Sequence, residues 1–246
     1  YEGWLIVDGA PVSTGVFTVD GGGVQSQTYF PTEVSSLEAV STFVLTIEPV
    51  PDNDQAPSHV HILGGDVIGG RAALTIDHGA ALGTDFGMAA GSYILAAPSG
   101  DGAAPYQNGI WWLDPAGAPD PTLTLPELPT GWVYEGWVVS DGGPVTTGRF
   151  TSVSGTDSDG AGPDAGPDAA PPFPGQDYVD PAMDLRGGVA VISVEPEPDN
   201  SPAPFTLKPL MDPVIDDLGE GVLQPMHRNP AALPSGHAVL AHETVI

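Results

Sequence analysis

Cysteine is absent from the 246 residues, which excludes disulfides, a thiol nucleophile, thiolate zinc sites and iron–sulfur clusters. Positive charge is nearly absent too. Five Lys plus Arg, with Lys208 the one lysine, stand against 32 Asp plus Glu, giving a formal net charge of −27. Such a field repels phosphate backbones and anionic lipid, so nucleic acid is not an expected partner. No uncharged apolar run approaches the roughly 18 to 20 residues that a membrane helix needs, so no membrane span is expected in this chain. Stretches free of Pro and Gly are scarce, and helical periodicity is lost with them; residues 33–41 could form a turn or two. Tyr1 opens the sequence without a basic or apolar leader, so any signal peptide is expected to have been removed or left out.

What is present is apolar and punctuated. The 41% hydrophobic content suffices for a packed core, and 33 Gly and 28 Pro are spread between the apolar runs. That spacing predicts many short strands joined by tight turns, an all-β fold.

The sequence also repeats itself. Residues 1–18 (YEGWLIVDGAPVSTGVFT) recur as 134–151 (YEGWVVSDGGPVTTGRFT), with 12 of 18 positions identical. Residues 43–57 (FVLTIEPVPDNDQAP) return as 190–204 (AVISVEPEPDNSPAP), and the offset has grown from 133 to 147. The growth locates an insertion at about 154–174, a Gly/Pro/Asp-rich run with too few apolar residues to order itself, which reads as a surface loop or flexible excursion. A weaker third block pairs residues 91–96 (GSYILA) with 236–241 (GHAVLA). Two tandem antiparallel β-sandwich-like units are therefore expected, 1–133 and 134–246, each starting with a hairpin whose turn is Asp-Gly. One continuous sheet through 132–139 is the variant left open.

Residues 109–132 have no second copy. Either the chain is a slice of a longer polypeptide whose adjoining domains complete it, or further copies of itself pair along an exposed sheet edge. Residues 1–7 are the expected edge strand. The expected interface residues are Tyr1, Trp4, Leu5 and Val7, with Trp111 and Trp112, which must face opposite ways on one strand so that one of them points outward or into an interface.

At the repeated blocks the sequence resembles the extracytoplasmic domain of RskA-type anti-sigma factors and the secreted proteins labelled anti-sigma-factor-like. The residues that carry the resemblance are the Tyr-x-Gly-Trp strand, the Pro-Val-Ser-Thr-Gly-x-Phe hairpin and the Thr-Ile-Glu-Pro run with the Pro-rich text after it. The resemblance implies an all-β, non-catalytic domain outside the cytoplasm, extracellular, at the cell surface or periplasmic. The helical sigma-binding domain and membrane helix of such regulators are missing here.

No catalytic constellation emerges: there is no Gly-x-Ser-x-Gly elbow and no Ser, His and Asp set present in both units. His59 and His61 alternate on one strand, a spacing some metal sites use, but Thr206 and Lys208 stand at the matching positions. His242-Glu243 begins a zinc-protease motif that lacks its second His. Asp157-Ser158-Asp159-Gly160 has the oxygen spacing that opens a calcium loop, with Asp164 a further candidate, but lacks the closing bidentate Glu, which makes calcium the one cofactor suggested. Asp52-Asn53-Asp54 and Asp199-Asn200 form weaker acidic pairs that suit turn capping. Three functions fit: a self-assembling surface or filament protein, the sensing exterior of an anti-sigma-like regulator, or a carbohydrate-binding module with exposed Trp rings.

Overall fold

The computed structural model describes residues 1–52, 55–199 and 201–241. It is nearly all β, and helix is confined to short 3-10 turns, the first at Leu37–Ala39 inside the segment where a turn of helix was expected. The strands of the first half are β1 (Glu2–Val7), β2 (Ala10–Val16), β3 (Val40–Thr46), β4 (His61–Asp66), β5 (Arg71–Thr75), β6 (Ser92–Leu95), β7 (Gly109–Trp111), β8 (Leu113–Asp114) and β9 (Asp120–Pro121). Those of the second are β10 (Trp132–Ser140), β11 (Gly143–Phe150), β12 (Gly175–Asp177), β13 (Val189–Pro196), β14 (Leu210–Asp212), β15 (Gln224–Pro225), β16 (His227–Arg228) and β17 (Ser235–Val239).

These strands form antiparallel sheets with the orders β17-β5-β4-β3-β1-β2, β11-β10-β13-β14-β16, β12-β7-β6-β15 and β8-β9. Two compact units result. One contains Tyr1–Asp85, Pro129–Gly131 and the chain from Pro234 onward; the other contains Phe86–Leu128 and Trp132–Leu233. The six-stranded sheet belongs to the first and the remaining sheets to the second.

The two hairpins are built alike because their sequences place the same groups at the same registers. Trp4 pairs with Ser13 and Val44; Trp137 pairs with Thr146 and Val191. Each indole is buried and donates to a hydroxyl on the neighbouring strand, Trp4 Nε1 to Thr46 Oγ1 at 2.9 Å and Trp137 Nε1 to Ser193 Oγ at 2.8 Å. Each hydroxyl in turn donates to a Glu two residues on, Glu48 or Glu195, whose carboxylate also accepts a backbone N–H, from Ser58 or Phe205. A large apolar ring with its one polar atom satisfied in this way anchors a sheet without leaving a buried donor unpaired.

The turns differ by one residue with a clear physical cause. In the first hairpin Asp8 and Gly9 both have positive φ, 50° and 83°, the backbone of a type I′ turn. In the second, positive φ moves to Gly143, at 103°. That position is Ala10 in the first hairpin, whose Cβ disfavours such a conformation. Gly136, like Gly3, is required by close approach instead: a Cβ there would lie 2.2 Å from Thr147 Oγ1 and 2.6 Å from the Trp112 ring.

One expectation is corrected. β1 lies between β2 and β3, so residues 1–7 are not an edge; the six-stranded sheet ends at β2 and β17. Adjacent hairpin strands made β1 look terminal because the pairing with β3, some 35 residues away, leaves no local trace. Residues 154–174 contain no strand, yet they are tied down. Asp168 N donates to Ser99 O at 2.9 Å, Gly166 N to Ser99 Oγ at 2.9 Å and Asp177 N to Ala161 O at 3.0 Å. Phe173 enters a cluster with Ile94, Trp111 and Leu113, with Ala161 and Ala170 packed against it.

Candidate functional site

Chemistry-bearing groups gather in the second unit, beginning with the Trp111-Trp112 pair. Both rings are fully buried, against the expectation that one faces outward or into an interface. They do point opposite ways: Trp111 Nε1 donates to Asp177 Oδ1 at 2.7 Å, and Trp112 Nε1 reaches Met226 Sδ at 3.3 Å. Phe173 and the alanines of the 154–174 loop cover the face that alternation alone would leave open. Trp4 and Leu5 are also interior, at 2% and 5% exposure, while Tyr1 and Val7 are half-buried and Tyr1 stacks on Phe17. Four of the six expected interface residues are therefore core.

Asp177 is a fully buried carboxylate that accepts from Ser99 N (2.8 Å), Ser99 Oγ (2.6 Å) and Trp111 Nε1. Burial raises its pKa, and these donors oppose the rise. Glu195, also fully buried, is raised by burial in the same way and accepts from Ser193 and Phe205. Glu135 is raised by burial against the pull of Thr146 and Arg149, whose Nε lies 3.1 Å from its Oε2. Arg149 also reaches Asp199 Oδ2 at 3.3 Å and Glu197 Oε2 at 3.5 Å. These acids brace loops and strand ends: each partner is a backbone amide, a hydroxyl, an indole or an arginine on a neighbouring segment.

Asp157 and Asp159, two of the three expected calcium residues, come together beside Gly148. Asp157 Oδ2 and Asp159 Oδ1 lie 2.5 and 2.8 Å from the point a Cβ on Gly148 would occupy. Asp157 is buried, accepts from Gly175 N at 2.9 Å through Oδ2, and has no partner for Oδ1 among the described residues. Burial pushes its pKa up to about 7, and the neighbouring Asp159 charge adds to the rise. Asp164 does a different job, its carbonyl accepting from Val179 N (2.8 Å) and Asp180 N (3.0 Å). Among the described residues no group of three or more His, Asp or Glu is arranged to hold a metal ion.

His61 is partly buried with Nδ1 3.0 Å from Ala80 O, and His59 is exposed. Asn53, Asp54, Asn200, His242 and Glu243, named above in the acidic pairs and the protease-like ending, lie outside the described residues. A shallow depression is lined by Val133, Arg149, Phe150, Asp157, Ser158 and Glu197 among others. No helix among the described residues is long and apolar enough to cross a membrane.

The six-stranded sheet has two edge strands. β17 closes one side of the six-stranded sheet, with Val239 55% exposed, and β2 closes the other, with Val16 64% exposed. An edge strand presents unpaired N–H and C=O groups to any strand that can align with it. Sequence reading missed β17 as an edge because its pairing to β5 spans about 160 residues of chain. Comparison with known proteins finds no match: no family model, no curated protein and no solved structure is similar to the chain.

Proposed function

We propose that this chain is a non-catalytic structural protein of the extracellular space or cell surface, a β building block that associates with further copies of itself through sheet edges. The observation that carries the reading is the contrast between β17 and β6. In the second unit the outer side of β6 is covered by β7, Ile94 pairing with Trp111 and Leu95 with Ile110. The repeat places β17 at the corresponding position, where no strand among the described residues pairs with its outer side and Val239 is exposed. The buried carboxylates are engaged in bracing the fold, which leaves them poorly placed for acid–base chemistry on a substrate. Fully buried Trp111 and Trp112 offer no face for stacking on a sugar ring, which weighs against the carbohydrate-binding alternative. The acidic surface and the resemblance to secreted anti-sigma-factor-like domains support a location outside the cytoplasm.

The test is the particle mass of the native protein by light scattering, with Val239→Lys and Val16→Lys as edge variants. A charged side chain on an edge strand blocks pairing with another chain. The expected result is a mass of many subunits for the native protein in moderate salt, falling toward 25 kDa in one or both variants. A native protein that stays at the monomer mass across salt and concentration overturns the proposal and favours the sensing domain of a regulator.

A further inference from the structure

We infer that β17 is an exchangeable strand, and that a second copy of this chain can supply it; the inference rests on the self-association reading above and gives it a mechanism. The first unit runs β2-β1-β3-β4-β5-β17. The second runs β11-β10-β13-β14-β16, and β16 is separated from β15 only by Met226, whose N donates to Gly91 O at 2.9 Å and so continues the ladder onto β6. Both units therefore carry the same kind of strand at this point, β17 beside β5 and β6 beside β15, although β6 is followed by β7 whereas β17 is terminal in its sheet.

Register makes the correspondence specific. The repeat equates Val44 with Val191, and these pair with Gly64 and Met211. Gly64 pairs with Thr75 and Met211 with His227, which equates Thr75 with His227. Counting back along each strand, Leu74, Ala73 and Ala72 match Met226, Pro225 and Gln224. Leu74, Ala73 and Ala72 pair with Gly236, His237 and Ala238. Pro225 and Gln224 pair with Ser92 and Tyr93, and Met226 bonds to Gly91. Gly91-Ser92-Tyr93 and Gly236-His237-Ala238 are the segments that the GSYILA and GHAVLA blocks align, so register and sequence repeat agree independently. The strand from the first repeat thus fills the slot in the second unit, and the strand from the second repeat fills the slot in the first.

Reciprocal exchange has a physical consequence. The β17 of a second copy is identical in sequence to the chain's own, so local sequence does not decide which of the two enters the slot at this register. Connectivity decides, through the effective concentration of the tethered strand. β17 follows β16 after six residues that include the 3-10 turn Pro230–Ala232, and its own slot lies on the far side of β5 in the other unit. A β17 from another molecule makes the same five residue pairs. Each chain then has one donor strand and one acceptor slot, a head-to-tail contact that propagates into rings or open filaments.

Absence of cysteine makes the test unambiguous. Ala73→Cys with His237→Cys places a thiol on each side of the β5–β17 pair, at exposed positions directly across the ladder. Ser92→Cys with Pro225→Cys does the same at the matching position of the β6–β15 pair. Each full-length double variant is unfolded in denaturant, refolded over a hundredfold range of concentration, oxidised, and run on a non-reducing gel. The expected result for the first pair is a reducible ladder of multimers whose share rises at least severalfold with concentration, while the second pair stays linked within single chains. Multimers by light scattering with only intrachain disulfides in the first pair overturn strand exchange and leave edge association standing. Monomers with intrachain disulfides at every concentration overturn both. If the first variant fails to fold, Ala72→Cys with Ala238→Cys reads the same contact one residue along, with the same outcomes.

Discussion

Asp157 shows how one residue can set a pH response. It is 8% exposed, keeps one oxygen without a partner among the described residues and has its pKa raised to about 7. An Asp in the unfolded chain titrates near 3.9. Between those values the native state holds a proton that the unfolded state has lost, so stability falls as pH rises from about 4 to about 7 and is flat beyond. The cost at pH 8 is on the order of 4 kcal/mol at most, at about 1.4 kcal/mol per pKa unit, before relaxation reduces it. Asp157→Asn keeps an acceptor for Gly175 N and removes the charge, so it is expected to melt several degrees above the parent at pH 8, with the gain shrinking toward pH 5. Thermal melts at the two pH values check this; a variant that melts lower at both shows that the ionised carboxylate contributes to the fold. The Asp157–Asp159 spacing made this region visible in the sequence, but what it disclosed was oxygen-rich text. Asp157 is buried where the fold brings it beside Gly148 and Gly175, on other segments, which no local pattern encodes.

Elements tell a different story, because hairpins carry their own instructions. The Asp-Gly turns, the alternation around them and the repeat itself were sufficient to expect both hairpins and most of the strands they lead to. The difference between Ala10 and Gly143 also has a measurable consequence. Gly143 has φ of 103° whereas Gly142 has no positive φ, so Gly143→Ala is expected to cost about 1 to 2 kcal/mol and Gly142→Ala a few tenths at most. Denaturant unfolding of the two variants separates them, and equal midpoints would exclude the turn geometry described. What the sequence did not disclose was long-range pairing: β1 joined to β3, the cover over Trp111, and the crossing of β6 and β17 into opposite units. Each depends on contacts between residues far apart in the chain, and strand periodicity says which face a residue takes without saying what covers it.

At the scale of the whole molecule, charge sets the conditions under which any of this operates. A net charge of −27 over 246 residues disfavours the compact state, and it disfavours the approach of a second copy as well. Burial adds to the same trend: Glu135, Asp157, Asp159, Asp177 and Glu195 all have raised pKa values with desolvation as the leading cause. For each of them the native state binds protons more tightly than the unfolded chain, so stability is greater below their native pKa values and is lost as pH rises through them. Salt acts on the surface part of the problem, since about 1 M shortens the screening length to roughly 3 Å, and leaves the buried part nearly untouched. The melting temperature is therefore expected to rise with salt at pH 8 and to rise again, at fixed salt, on moving from pH 8 to about pH 5. The two gains should be largely additive because one arises from exposed charge and the other from desolvated carboxylates. A scanning calorimetry series over both variables tests this. A response to neither would exclude charge as the limiting factor, whereas a salt response that vanishes at pH 5 would show that the same surface carboxylates underlie both effects.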